Sequence, residues 1–125
     1  GILYKALKRA NPQDRTLPEK YYAATAKNGS SDFETLAEMI SEQSALSATD
    51  CLAVLNILEV NIVRELRQGR IVRLGKLGSF QISISSQGLD TQDEVTADAI
   101  KGAKILFRPA KMMRNLLKNL SFNRE

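Results

Sequence analysis

The residues of this chain best suited to chemistry are cations, most of them near the C-terminal end. Lys111 and Arg114 are three positions apart, which places them on one face of a helix. Lys104 and Arg108 precede them on a predicted strand, and Arg73 lies on an earlier one. Lys and Arg neutralise phosphates and release counterions, so the affinity that they provide falls as salt is added. We therefore treat these five residues as candidate contacts to a polyanion, with an ordinary solvated surface as the alternative.

The composition argues against catalysis and against a metal site. The chain has no histidine, which removes the commonest general base and metal ligand. Its single cysteine, Cys51, cannot form an internal disulfide and lies on an apolar helix face, so we expect a small core residue in a reducing compartment. The acids of residues 90–98 lack the spacing of a calcium loop. We predict no enzyme activity, no cofactor, no metal and no small-molecule substrate.

Charge is unevenly distributed along the chain, although the net charge is only +4. Residues 1–30 carry six Lys/Arg and two acids, and residues 101–125 carry seven and one. Residues 31–69 carry two Lys/Arg and seven acids, and residues 85–100 add four acids. Such separation favours one face for a polyanion and another for solvent or a partner. No apolar run is long enough for a membrane span, and no leader is visible, with a leader removed by processing as the alternative. The single cysteine fits a reducing cytoplasm, which is the expected location.

Two short strands are predicted before residue 30. Residues 2–10 and 20–27 contain tyrosines and aliphatic residues, and the turn signals Asn11-Pro12 and Leu17-Pro18 separate them. We expect a β-hairpin with a loop of about nine residues. Residues 1–30 are accordingly assigned as an N-terminal extension.

Two helices are predicted next. Ser31 and Glu34 form a capping box for a helix over about 32–44, and Ser47 with Asp50 marks the start of a second, over about 48–68. Gly69 suits the end of the second helix. The apolar stripe of the second helix is wide, so we expect it to pack against two neighbours, a sheet and another subunit. The stripe consists of Cys51, Leu55, Leu58, Ile62 and Leu66.

Strands and a final helix complete the predicted α+β unit, residues 31–125. A short strand at 71–74 is followed by Phe80, Ile82 and Ile84, which alternate with polar residues and predict a strand with one buried face. Residues 85–102 are polar and acidic, and 103–108 predict another strand. Pro109 suits the first turn of a helix. The apolar side of that helix is Met112, Met113, Leu116, Leu117 and Leu120.

From Asp32 to Phe80, this order of helices, glycine and strand resembles the HU/integration-host-factor family of histone-like proteins. Phe107-Arg-Pro-Ala-Lys111 resembles the family's Phe-Lys-x-Gly-Lys at the start of its last helix. The N-terminal hairpin and the pattern Leu74-Gly-Lys-Leu-Gly78 are more similar to an HU-like subgroup of Bacteroidetes-type bacteria.

The resemblance implies an intertwined homodimer with a helical base and an antiparallel β-sheet saddle that binds double-stranded DNA. The expected role is architectural, at the bacterial nucleoid, through phosphate contacts without sequence preference. By position, Arg108, Lys111 and Arg114 match residues that touch the DNA backbone. The expected core and dimer residues are Leu55, Leu58, Ile62, Leu77, Phe80 and Phe107.

The chain departs from the family in the β-ribbon arm, whose Arg-Asn-Pro tip wedges a proline between base pairs and kinks the duplex. Residues 85–102 occupy that place without Arg or Pro and with four acids. Arg9, Asn11 and Pro12, at the turn of the N-terminal hairpin, resemble the missing tip and are a hypothetical substitute arm; a plain hairpin turn is the alternative. The second interpretation of the whole chain is a protein-interaction module that uses 85–102 and binds DNA weakly or not at all.

Overall fold

The computed structural model describes residues 1–125 and shows an α+β protein with three helices and two three-stranded sheets. The chain divides into two compact units. The first unit contains residues 1–31 together with 116–125, and the second contains residues 32–115. The assignment of 1–30 and 31–125 as domains stays a prediction.

The first unit is built around a central strand. Strand β1 (Ile2–Arg9) pairs antiparallel with β2 (Lys20–Thr25), in the region where two strands are predicted. A third strand, which the sequence pattern did not indicate, comes from the C-terminal segment (Phe122–Arg124) and lies parallel to β1 on its other side. The Ile2 N–H donates to the Ser121 carbonyl at 2.7 Å, and the Glu125 N–H donates to the Tyr4 carbonyl at 2.9 Å. The sheet therefore joins the two ends of the chain.

The two helices of the second unit begin and end close to their predicted limits. Helix α1 spans Phe33–Glu42 and α2 spans Ala48–Arg67. Ser47 caps α2 as predicted, since its Oγ accepts from the Asp50 N–H at 3.0 Å. The capping prediction for α1 was wrong by one residue: Asp32, not Ser31, accepts from the Thr35 N–H, at 2.9 Å. An aspartate preceding the first helical residue can reach that N–H directly, and its charge suits the helix N-terminus.

Gly69 ends α2 in the way its residue type predicts. Its φ is 76°, in the left-handed region that favours glycine. The Gly69 N–H donates to the Leu66 carbonyl at 2.9 Å, and the Arg70 N–H donates to the Glu65 carbonyl at 3.2 Å. This pair of bonds satisfies two free carbonyls of the last helical turn and turns the chain toward the sheet.

The sheet of the second unit has the order β3-β4-β5, with both pairings antiparallel. Strand β3 spans Val72–Arg73, β4 spans Gly78–Ser86 and β5 spans Ile100–Pro109. Strand β5 begins three residues earlier than predicted because its pairing with β4 continues to Ser86–Ile100, past an irregularity at residues 85–86. The acidic residues between these strands form two short 3₁₀ turns, over Gln92–Glu94 and Ala97–Ala99.

The last helix is shorter than its apolar pattern predicts. Helix α3 spans Lys111–Leu116, so Leu117 and Leu120 lie beyond it. The prediction of a helix reaching Leu120 was wrong because the chain turns after Leu116 into the strand that bonds to β1. We number that strand β6. Leucine favours helix, but intrinsic propensity is a weak effect that the backbone bonds to an existing strand outweigh.

Few residues are fully buried within one chain. Cys51 is 3% exposed, which confirms its place in the core, and the other buried residues are Ala26, Ala37, Leu66 and Ala99. Many large apolar side chains remain exposed, among them Val54, Ile57 and Val60 on α2. Of the six expected core and dimer residues, Leu58, Leu77 and Phe107 are exposed and Leu55, Ile62 and Phe80 are half-buried. The three helices include no candidate membrane-spanning segment.

Candidate nucleic-acid interface

Three of the five predicted phosphate contacts share one face of the β3-β4-β5 sheet. Arg73 and Arg108 are the register partners of Ser79 on either side of β4, and Lys104 is the partner of Ser83. Partners across strands and alternate residues along a strand project to the same side of a sheet. We call this side the basic face and define it by these three cations together with Ser79 and Ser83.

The opposite side of the same sheet is apolar and fixes the register. Phe80 and Phe107 are register partners whose ring centroids are 5.0 Å apart, with the ring planes inclined by 53°. Ile82 and Ile105 form the next pair on that side. A shift of one residue would exchange the two sides, so these apolar pairs hold the cations on the basic face.

Gly78, the first residue of β4, allows β4 and β5 to approach each other closely next to Arg108. Its φ is 150°, and a Cβ built on it would lie 2.8 Å from Cζ of Phe107 and also collide with the Arg108 carbonyl oxygen. A residue with a side chain would therefore push β5 away. The glycine leaves a shallow concavity of about 380 Å³, whose lining includes Arg73, Ser79 and Arg108.

The basic face carries no opposing charge. Strands β3, β4 and β5 contain no Asp or Glu, so no carboxylate within the sheet neutralises the two guanidinium groups. The acids of the β4–β5 connection are confined to its turns, where the Thr91 hydroxyl donates to Oε1 of Glu94 at 2.8 Å. The sheet thus presents positive charge and hydroxyl groups together, a combination that suits phosphate oxygens.

The two predicted contacts on α3 differ from one another. Lys111 begins the helix and is exposed. Arg114 Nη1 donates to the Pro109 carbonyl oxygen at 2.8 Å, which ties α3 to the end of β5. The Ala110 N–H donates to the Leu77 carbonyl at 3.0 Å and closes the same corner. Arg114 therefore has a structural role, because one of its guanidinium N–H groups bonds to the backbone.

The predicted substitute arm lies in the first unit, at the loop between β1 and β2. Oδ1 of Asn11 accepts from the Gln13 N–H at 2.9 Å, so a local turn surrounds the exposed Pro12. A second turn follows, in which the Thr16 hydroxyl and N–H both donate to Asp14 and lower the pKa of that carboxyl. Arg9 ends β1 opposite Lys20. These contacts order the loop without distinguishing an arm from a plain turn.

The cations were visible in the sequence, but the residues that bring them together were not. Ser79 is the shared neighbour of Arg73 and Arg108, and Gly78 permits the close approach. The alternation of Phe80, Ile82 and Ile84 with polar residues was visible in the sequence. Matching Phe80 with Phe107 would have supplied the register.

A helical pair that leads through a glycine into an antiparallel sheet is consistent with the fold of HU-like proteins. A family model described as "HU domain fused to wHTH, Ig, or Glycine-rich motif", HU-HIG, matches residues 1–124. The chain therefore belongs to the HU-HIG family, which confirms the resemblance inferred from its motifs.

A solved structure shares the fold. It is that of a protein from Bacteroides vulgatus ATCC 8482 described as a candidate bacterial DNA-binding protein; the TM-score is 0.61 and the identity 14%. The match covers 98% of this chain and 48% of that one, so the chain spans about half the length of this relative. No curated protein matches the chain.

Proposed function

We propose that this protein binds double-stranded DNA through the phosphate backbone, with little sequence preference, in an architectural role at the bacterial nucleoid. The observation that carries the proposal is the pair Arg73 and Arg108, which flank Ser79 on a sheet without carboxylates. The HU domain of its family and the description of the Bacteroides structure support DNA as the polyanion. Neither a catalytic group nor a cofactor has a role in this function.

The side chains of the basic face favour backbone contacts over base reading. Ser79, between Arg73 and Arg108, and Ser83, beside Lys104, have short hydroxyl groups that can donate to phosphate oxygens at close range. Sequence-specific reading in the major groove uses long side chains with paired donors and acceptors, carried on a helix or ribbon that enters the groove. Arg73, Lys104 and Arg108 could make such contacts with guanine only if the sheet entered the groove, whereas against the outside of the duplex they meet phosphates.

We propose further that the protein acts as a homodimer. Val54, Ile57 and Val60 are each about 60% exposed on one helix, and burying such an apolar surface stabilises by roughly 25 cal/mol for each Å² removed from water. A second copy would cover these residues, as the resemblance to HU implies. Ile57→Glu should give a monomer in sedimentation equilibrium, whereas the unchanged protein should give a dimer; a monomeric unchanged protein would overturn this proposal.

Salt-titrated binding to a duplex of random sequence tests the main function. Affinity measured by fluorescence anisotropy should fall by about 10³-fold or more between ~50 and ~200 mM salt if the dimer contacts about six to ten phosphates. It should vary little among duplexes of different sequence. Absence of binding at the lower salt would instead favour a protein-interaction module that uses the acidic segment 85–102.

A further inference from the structure

One face of the N-terminal sheet displays three aromatic side chains. The register pairs are Ile2 with Phe122, Tyr4 with Thr25, and Lys8 with Tyr21. Because β1 residues two apart share a side of the sheet with their partners, Tyr4, Tyr21 and Phe122 all project from the same side. We call it the aromatic face; Tyr22 lies on the other side, opposite Leu7.

Two of these rings are largely open to solvent. The exposed fraction is 71% for Tyr21 and 64% for Phe122, and Tyr4 is half-buried. Tyr4 and Phe122 also line a concavity of about 500 Å³, with Ile2, Ala23 and Thr25. An apolar surface rimmed by polar groups is typical of an interaction site.

Cations accompany the rings on this face. Nζ of Lys8 is 6.0 Å from the centroid of the Tyr21 ring, and Arg124 is the register partner of Tyr4. The whole first unit carries eight Lys/Arg and three Asp/Glu, a net charge of +5, whereas the second unit carries ten and eleven, a net charge of −1. A ligand that fits must therefore combine flat apolar groups with negative charge.

The spacing of the rings leaves room between them. At about 3.4 Å per residue, Phe122 and Tyr4 lie about 7 Å apart along the strands, and Tyr4 and Tyr21 about 14 Å apart. The register pair between Tyr4 and Tyr21 is Ala6 with Ala23, whose small side chains leave the surface between the rings free of bulky groups. Flat groups can thus lie on the sheet beside each ring.

We propose that the aromatic face binds single-stranded DNA, with unpaired bases stacked on Tyr4, Tyr21 and Phe122 and phosphates near Lys8 and Arg124. Stacking on aromatic side chains next to a positively charged surface is a general way to bind unpaired bases. In a duplex the base faces are covered by neighbouring base pairs and are not available to these rings. The choice of DNA over RNA rests on the proposed function of the second unit.

Charge also disfavours a second copy of the chain as the occupant. Two copies meeting through the same surface would place two units of net charge +5 against each other. Like charges brought together across an interface are unfavourable. A nucleic-acid strand instead neutralises the excess cations.

The test is binding of a fluorescein-labelled oligo-dT of about 15 nucleotides to the full chain, followed by anisotropy. Tyr21→Ala should weaken binding by about fivefold to a hundredfold, the usual effect of removing one stacking ring. Tyr21→Phe should retain it. Tyr22→Ala is the matched control, since it removes the same residue type from the adjacent position on the opposite side, and it should leave the affinity unchanged.

Intrinsic fluorescence gives a second, direct readout. The chain has three tyrosines and no tryptophan, and Tyr4, Tyr21 and Tyr22 all lie in the first unit. Stacked bases should quench the tyrosine emission of the unchanged protein, and less so that of Tyr21→Ala. Equal loss of affinity in Tyr21→Ala and Tyr22→Ala, or no quenching, would overturn the proposal.

Three further measurements distinguish this site from the basic face and from other occupants. Arg73→Glu with Arg108→Glu should weaken duplex binding and leave oligo-dT binding intact, so either function can fail alone. Tighter binding of oligo-U than of oligo-dT would overturn the assignment to DNA. Loss of self-association in Tyr21→Ala, measured by sedimentation, would overturn it in favour of a second copy.

Discussion

Arg73 and Arg108 lie on different strands, 35 positions apart in the sequence, yet each is the register neighbour of Ser79. The two guanidinium groups therefore project from one side of the sheet, across a single intervening strand. A phosphate backbone passing over Ser79 would meet both. This relationship gives the DNA-binding proposal its most direct test.

Reversing these two charges should reduce DNA binding in a manner that depends on salt. For Arg73→Glu with Arg108→Glu, the slope of log affinity against log salt should flatten by about 0.9 for each phosphate that the protein no longer neutralises. The reduction should be similar for duplexes of different sequence. A reduction confined to one sequence would contradict backbone binding.

Arg70→Glu is a suitable control for the single change Arg73→Glu. It makes the same change in net charge three residues away, but Arg70 is already paired with Glu65, with Nη1 and Oε2 2.6 Å apart. Arg70 is exposed and Glu65 is half-buried at the protein surface, so loss of this pair should cost only about 0–1 kcal/mol of stability. Equal loss of affinity in the two variants would mean that net charge, not the basic face, controls binding.

Lys111 and Arg114 should differ in what they contribute. Lys111→Ala should weaken DNA binding and leave the free energy of unfolding unchanged, because the lysine is an exposed first residue of α3. Arg114→Ala should also lower that free energy by about 1 kcal/mol, since it removes the bond to the Pro109 carbonyl. Urea unfolding of both variants tests this difference, and equal midpoints for Lys111→Ala and Arg114→Ala would contradict it.

Gly78→Ala should destabilise the sheet. A side chain at φ 150° is strained and meets β5, so we expect a loss of about 1–3 kcal/mol in urea unfolding. Gly102→Ala is the control on the same sheet, where an added Cβ meets no atom within 4 Å. Similar losses in the two variants would show that the close approach at Gly78 has no special role.

Asp32 should make α1 sensitive to acid. The Thr35 N–H, and then the Thr35 hydroxyl, donate to its carboxylate and hold its pKa below the ordinary value of 3.8. A depressed pKa in the folded state stabilises the protein above the ordinary pKa, and that stability is lost as the pH falls through the depressed value. The unchanged protein should have a higher free energy of unfolding than Asp32→Ser, and this difference, measured by urea unfolding, should shrink below about pH 4. An advantage independent of pH would refute this.

Pro12→Ala tests the substitute arm. If Pro12 wedges between base pairs, its removal should reduce duplex bending, measured by energy transfer between labelled DNA ends. Pro18→Ala, in the same β1–β2 loop, should leave bending unchanged. Equal bending by the unchanged protein, Pro12→Ala and Pro18→Ala would exclude the hypothesis.

The sequence predicted the helices of the second unit well because capping residues mark their ends locally. Ser47 and Gly69 each act through bonds to residues within four positions. Strand β6 carried no such signal: its three residues form a strand only because β1, more than a hundred positions away, supplies the bonds. The basic face lies between these cases, since its cations were visible but their meeting at Ser79 depends on strand register.

The parallel pairing of β6 with β1 bears on the order in which the protein forms during synthesis. Residues 32–115 make a contiguous unit that can close as the chain emerges from the ribosome. The N-terminal sheet must wait for its last strand, and joining segments so distant along the chain costs more loop entropy than closing a hairpin. Until translation passes Arg124, the β1 edge that will receive β6 stays unpaired, and nascent chains crowded on one messenger are then most at risk of pairing with each other.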